Sequence, residues 1–203
     1  MVFARAPVPG AVKTRLIPAI GPQRAAALAE RMLEHALRAA ADARLGPIQL
    51  HGTPVTHDVA LRSAAERAGA AYVAQPPGDL GERMRSALAA ALQLAPRALL
   101  LGTDCPTLDA EILREADAAL VAGADGVFVP TADGGFALTG FRREALAAIG
   151  EVFAAIPWGT ASVMSLTREH LSRRSLRWME LPTQVDIDEP ADLEHVPPEW
   201  LAQ

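Results

Sequence analysis

A single cysteine, Cys105, carries all the thiol chemistry of this 203-residue chain. That excludes an internal disulfide framework and any multi-cysteine zinc site. An excess of cations is missing as well. Nineteen lysines and arginines stand against 24 acids, for a formal net charge of −5. Such a balance argues against general nucleic-acid binding and against a polybasic membrane contact. No apolar run reaches the roughly 18 residues that would span a bilayer. The five histidines, His35, His51, His57, His170 and His195, form neither an HxxxH nor an HExxH pattern, so they do not point to zinc. A GxSxG nucleophile elbow and a GxGxxG dinucleotide fingerprint are both absent. The chain does not open on a basic segment followed by an apolar one and a cleavage site, so no signal peptide is read. The expectation is a soluble cytoplasmic protein. Its abrupt start in strand-like residues at Met1 leaves open whether the native N-terminus lies upstream.

Half of the residues are hydrophobic, which supports a packed core and excludes disorder. At about 150 residues per domain, the length predicts one domain over residues 1–203. Short apolar runs alternate with longer helical stretches. Strands are predicted at 1–6, 48–51, 71–74, 98–101, 126–129 and 176–181, with 136–138 able to pair nearby. Helices are predicted at 23–45, stopped by Gly46, and at 58–68, 81–94, 108–121, 160–171 and 190–195. This alternation implies an α/β fold. It is a single-domain, three-layer α/β/α arrangement with a mixed, mostly parallel sheet. The section from 125 to 185 is less regular and is where an antiparallel strand would enter.

Ligands of such sheets bind beyond the carboxyl ends of the strands, and the informative segments fall there. The first loop carries Arg5, Gly10, Lys13, Thr14 and Arg15, cations on a Gly- and Pro-containing turn suited to phosphate oxygens. It is not a Walker A loop, because Val12 rather than glycine precedes Lys13. Asp104 ends a buried strand in LLLGTDCP. A carboxylate there suits a hard cation such as Mg²⁺ or Mn²⁺, or caps the next helix. Asp186 and Asp188 in VDIDEP point to one side of an extended segment, and Asp188 would pair with Asp104 on one cation or cap the helix opened by Pro190. ADGGFALTG reads as a close-approach loop or a hairpin turn. Trp158-Gly159-Thr160 offers a lid or stacking surface and, in Thr160, a helix N-cap. Cys105, without a base in sight, reads as a buried structural thiol.

In order, the segments FARAPVPGAVKTRL, GDLGERM, LLLGTDCPTL, ADGGFALTGF, IPWGTASV and VDIDEPADL resemble the rSAM/selenodomain-associated transferase 1 family. That family is glycosyltransferase-A-like, with the nucleotide-diphospho-sugar transferase fold, and the resemblance covers almost the whole chain. It implies nucleotide binding at the first loop through Arg5, Pro9, Gly10, Lys13 and Arg15. It also implies that Gly78, Leu80, Gly81 and Arg83 lie near the base or ribose. Asp104 and Asp188 would hold the metal, and Asp104, Lys13 and Arg15 would be catalytic. Asp133, Gly134, Gly135, Phe136, Trp158, Gly159 and Thr160 would face the acceptor. The sequence departs from the family where Ala137 rather than a second aromatic follows Phe136, which bears on the acceptor pocket.

Two readings follow. One is a Mg²⁺-dependent transferase whose partners are a nucleoside triphosphate or nucleotide sugar and a small acceptor, through nucleotidyl or glycosyl transfer. Three cations in the first loop favour a triphosphate. The other is a non-catalytic nucleotide or sugar-phosphate binding module, which would not need Asp104.

Overall fold

The structure is a computed structural model, which describes residues 1–201. In chain order the elements are β1 (Val2–Arg5), α1 (Ile17–Ala43), β2 (Gln49–Thr53), α2 (Val59–Arg67), β3 (Ala71–Ala74), α3 (Leu80–Leu94) and β4 (Arg97–Leu101). They continue with α4 (Ala110–Val121), β5 (Gly126–Pro130), β6 (Phe136–Arg142), α5 (Leu146–Val152), α6 (Val163–Arg173), β7 (Trp178–Glu180) and α7 (Pro198–Leu201). The seven strands make the mixed, mostly parallel sheet of an α/β fold. The chain divides into two compact units.

Among the described residues, one unit comprises 2–75, 102–110 and 185–201. Its strands lie in the order β3-β2-β1, all parallel, with Val2 opposite Leu50 and Leu50 opposite Tyr72. The predicted first long helix is present but begins earlier, at Ile17. Gly21 (φ +80°) breaks its first turn and Pro22 restarts it. It ends when Arg44 turns left-handed (φ +55°), two residues before the Gly46 that was expected to stop it. Its apolar face buries Leu28, Met32 and Leu37 as the periodicity predicts, whereas Leu45 is exposed. Leu16, Leu28, Met32, Ile187 and Val196 form one cluster, so residues near the end of the chain pack on the start of α1.

His51, on β2, is buried and stacks on the Phe3 ring with centroids 5.1 Å apart. Its Nε2 meets Gln49 Oε1 at 3.0 Å, while Nδ1 has no partner among the described residues. Burial pushes its pKa from 6.5 down to about 4. The folded state thus disfavours the protonated form. The contribution is complete above the unfolded pKa and is lost as pH falls from 6.5 towards 4. Urea unfolding at a series of pH values should show up to about 3 kcal/mol lost across that window. His51→Leu should flatten that part of the profile; an unchanged slope would show that other groups cause it.

The other unit comprises Met1 and residues 76–101 and 111–184. Its strands lie in the order β4-β6-β5-β7. β6 runs antiparallel to both β4 and β5, and β5 and β7 are parallel, so the antiparallel strand expected after residue 125 is β6. α3 starts at Leu80 because Asp79 caps it: its carboxylate accepts from Glu82 N at 2.8 Å, and Glu82 Oε2 accepts from Asp79 N at 2.9 Å. α5 lies in the section that the sequence left without an assignment.

Candidate functional site

In the first unit, the segment after β1 is fixed on both sides of its only lysine. Val12 packs with Ala26 and Ala29 of α1, and Leu16 enters the core cluster. Backbone bonds from Ala11 N and Val12 N to Val8 O close a turn whose tip holds Pro9 and Gly10 (φ +82°), both exposed. Lys13, between the two anchors, takes a left-handed backbone (φ +47°), a conformation that non-glycine residues hold only when their surroundings enforce it.

The side chain explains that placement. Lys13 Nζ donates to Asp104 Oδ1 at 2.5 Å, to Ile187 O at 2.6 Å and to Asp188 Oδ1 at 2.9 Å. All three ammonium donors are used. The Lys13 side chain is only 6% exposed, whereas Asp104 and Asp188 are 51% and 44% exposed. Burial alone would drive the ammonium towards its neutral form. The charges of Asp104 and then Asp188, with their hydrogen bonds, outweigh burial and hold its pKa above that of ordinary lysine. Lys13 is therefore not the solvated surface cation of a basic turn.

Asp104 and Asp188 converge, as the sequence predicted. A backbone bond from Ile187 N to Asp104 O, 2.8 Å, holds their segments side by side. Asp188 does not cap the following turn, contrary to the structural role considered for it. Glu189 does, in a reciprocal box with Asp192, whose Oδ2 also accepts from Asp188 N at 2.9 Å. Asp192 thereby frees the Asp188 carboxylate for Lys13. Arg5 and Arg15 are exposed, and Arg15 lies 3.7 Å from Glu189 Oε1. Cys105 is buried beside Thr107 Oγ1 at 3.3 Å, and burial pushes its thiol pKa up, which fits the structural thiol expected.

The two carboxylate oxygens and the Ile187 carbonyl all lie within 3 Å of one point. An all-oxygen set of this kind fits Mg²⁺ or Mn²⁺. No group of three or more histidine, cysteine or acidic side chains suited to a metal exists among the described residues. The remaining positions around such an ion would thus fall to water and phosphate oxygens, the usual habit of Mg²⁺.

The second unit brings together residues that the sequence kept in separate groups. A Cβ at Gly81 would fall 2.8 Å from the Trp158 ring, so α3 starts directly against that indole. Phe136 meets Trp158 edge-on with centroids 6.2 Å apart, and Phe153 closes the group at 6.0 Å from Trp158. Trp158 is thus packed against these rings, and its indole N–H is buried without a partner among the described residues. Gly78 (φ +122°) accepts from Arg83 Nε through its carbonyl at 2.8 Å, and Leu80 is exposed.

Asp133, Gly134 and Gly135 form the hairpin turn between β5 and β6. Asp133 Oδ1 accepts from Thr131 Oγ1 at 2.6 Å and from Gly135 N at 2.9 Å. Gly134 (φ +91°) lies against Ala161, and its carbonyl accepts from Met164 N at 2.8 Å. Thr160 is not the N-cap expected of it. Ser162 holds that position, α6 starts at Val163, and Thr160 Oγ1 donates back to Pro157 O at 2.8 Å. Gly159 (φ +81°) stands in open space.

A family model described as "Uncharacterized protein conserved in bacteria (DUF2064)" matches residues 36–160. The chain belongs to the DUF2064 family. A search of curated proteins finds no match. Among solved structures, this DUF2064 chain is similar to a candidate nucleotide-diphospho-sugar transferase from Desulfovibrio desulfuricans G20. The identity is 32% and the TM-score 0.83, over 93% of this chain and 80% of the other. A cytidylyltransferase from Leptospira borgpetersenii serovar Hardjo-bovis matches at 16% identity and TM-score 0.62, over 95% of this chain and 82% of that one. A 4-diphosphocytidyl-2C-methyl-D-erythritol synthase from Anaerococcus prevotii DSM 20548 matches at 13% identity and TM-score 0.63, over 96% and 92%. At that identity the last two bear on fold alone, and the fold is the one the resemblance implied.

The sequence did not reveal Ile187 O, Glu189 or Asp192 as parts of the site. One signal was available: Lys13 is the only lysine in the chain, against 18 arginines. A cation type used once marks a place where a guanidinium does not serve.

Proposed function

We propose that this DUF2064 protein is a Mg²⁺- or Mn²⁺-dependent, nucleotide-binding transferase that moves a nucleotidyl or glycosyl group to a small acceptor. We place it within the rSAM/selenodomain-associated transferase 1 group, with residues 1–203 as one such domain working in the cytoplasm. The observation that carries this reading is the convergence of Asp104 and Asp188, 84 positions apart, on the Lys13 ammonium. Asp104 and Asp188 would hold the metal, which when bound supplies positive charge against the donor phosphates. Arg5 and Arg15 are exposed and would orient the phosphates, and the Pro9-Gly10 turn would let them approach the backbone. Lys13 would stabilise charge developing on the leaving group. The name of the Desulfovibrio relative supports a nucleotide-linked donor. Three cations at one loop favour a nucleoside triphosphate over a nucleotide sugar. Within the second unit, Gly78, Leu80, Gly81 and Arg83 are our candidates for contact with the base, and Asp133–Phe136 with Trp158–Thr160 for contact with the acceptor.

Screening nucleoside triphosphates and nucleotide sugars for thermal stabilisation, with and without Mg²⁺, tests it. At a hundredfold excess over Kd the expected stabilisation is about 2.7 kcal/mol, or roughly 5–10 °C for a chain of this size. It should require the metal. No shift with any nucleotide would defeat the reading. A shift independent of metal would favour the non-catalytic binding module. That alternative has its own support, since Lys13 already bridges both carboxylates.

A further inference from the structure

We propose that the Lys13 ammonium is a tethered occupant of the cation cradle formed by Asp104, Asp188 and the Ile187 carbonyl, and that a divalent cation and Lys13 exchange there. Three oxygens from two segments of the chain meet the one nitrogen at 2.5, 2.6 and 2.9 Å. A guanidinium presents its donors in a flat fork, whereas an ammonium is a compact point charge. This is the one place where a chain with 18 arginines uses lysine. Metal–oxygen distances are shorter, about 2.0–2.1 Å for Mg²⁺, so the same oxygens would draw in around an ion by about half an ångström to nearly one.

The two cations would also come from opposite sides. The Lys13 side chain rises from the interior, 6% exposed, while Asp104 and Asp188 are 51% and 44% exposed and open to solvent. Val12 and Leu16 hold the backbone, so exchange requires only that the flexible stem swing. A divalent ion alone must displace a charge already in place and binds weakly. An ion arriving with nucleotide phosphates gives the released ammonium new oxygens, so metal and nucleotide enter together. This second half rests on the transferase reading; the exchange itself does not.

The test uses the full chain. Mn²⁺ alone, without nucleotide, is titrated by calorimetry into the parent, Lys13→Met and the double variant Lys13→Met/Asp188→Asn, with circular dichroism checking the fold. Methionine keeps the buried aliphatic stem. Lys13→Met should bind Mn²⁺ roughly tenfold tighter or more, since a charge-assisted competitor has gone, and the double variant should lose that gain. Equal or weaker Mn²⁺ binding by folded Lys13→Met overturns the exchange.

A measurement on the parent stands independently of that variant. Because the chain has one lysine, ¹³C-lysine labelling gives a single Cε signal, which should move saturably as Mg²⁺ is added. A signal that stays fixed up to saturating Mg²⁺ also overturns the exchange. If the Mn²⁺ gain appears but the parent binds no Mg²⁺–nucleotide, the transferase reading fails and the exchange stands.

Discussion

Asp104→Asn is expected to lower transfer activity by about 10²–10³-fold while the protein still folds. Asparagine keeps the shape of the side chain and removes its charge. Losing one preorganised electrostatic group at a reacting phosphate typically costs that much. The fold should tolerate the change. The carboxylate is half-exposed, and its buried lysine partner is not left without a counter-charge. Lys13 keeps Asp188 Oδ1 and Ile187 O as acceptors. Initial rates, measured with the nucleotide that stabilises the parent most and over a range of Mg²⁺, provide the readout, with thermal unfolding as the control. A variant that binds Mg²⁺–nucleotide as the parent does would remove Asp104 from the metal site and promote the binding-module reading.

Gly134→Ala should have the largest effect on stability, roughly 3–5 kcal/mol. Two independent costs add. The residue sits at φ +91°, where an L side chain costs about 1–3 kcal/mol. Its Cβ would fall 2.2 Å from the Ala161 carbonyl oxygen, a backbone atom that cannot rotate aside. Forcing the backbone apart typically costs a further 1–3 kcal/mol or so, and it would strain the bond from Met164 N to Gly134 O. Gly159→Ala is the matched control: φ is +81° and nothing lies within 4 Å of the added carbon. It should show the conformational cost alone. Urea unfolding of both variants separates the two terms, and equal losses would show that the Ala161 contact carries no weight.

The alternating pattern and the strand-end clustering of polar segments were legible because they rest on local signals. Asp104 and Asp188 could be paired in advance because a shared cation gave both a reason to approach one point. The identity of the cation between them was not legible. Lys13 reads as one of three phosphate-binding cations on a turn, and only the packing of Val12 and Leu16 shows it carried inside. Helix ends were misplaced where caps outside the apolar pattern decided them. Asp79 started α3 at Leu80, Ser162 rather than Thr160 preceded α6, and Arg44 ended α1 without a glycine. The packing of Trp158 was illegible for a similar reason, since only a three-dimensional contact brings the start of α3 at Gly81 against its ring.

The placement of β6 also constrains how its unit assembles. β4 and β5 follow each other in the chain but do not pair with each other; each pairs with β6, which is made last of the three. Until residue 142 is available, the α4 crossover links two strands with no ladder between them, and loop-closure entropy must be met before any pairing repays it. Gly140 sits where the three strands meet: a Cβ there would fall 2.4 Å from Leu99 Cδ2 and 3.0 Å from Val127 Cγ1. During synthesis the edges of β4 and β5 that β6 fills thus stay open until the ribosome releases that strand.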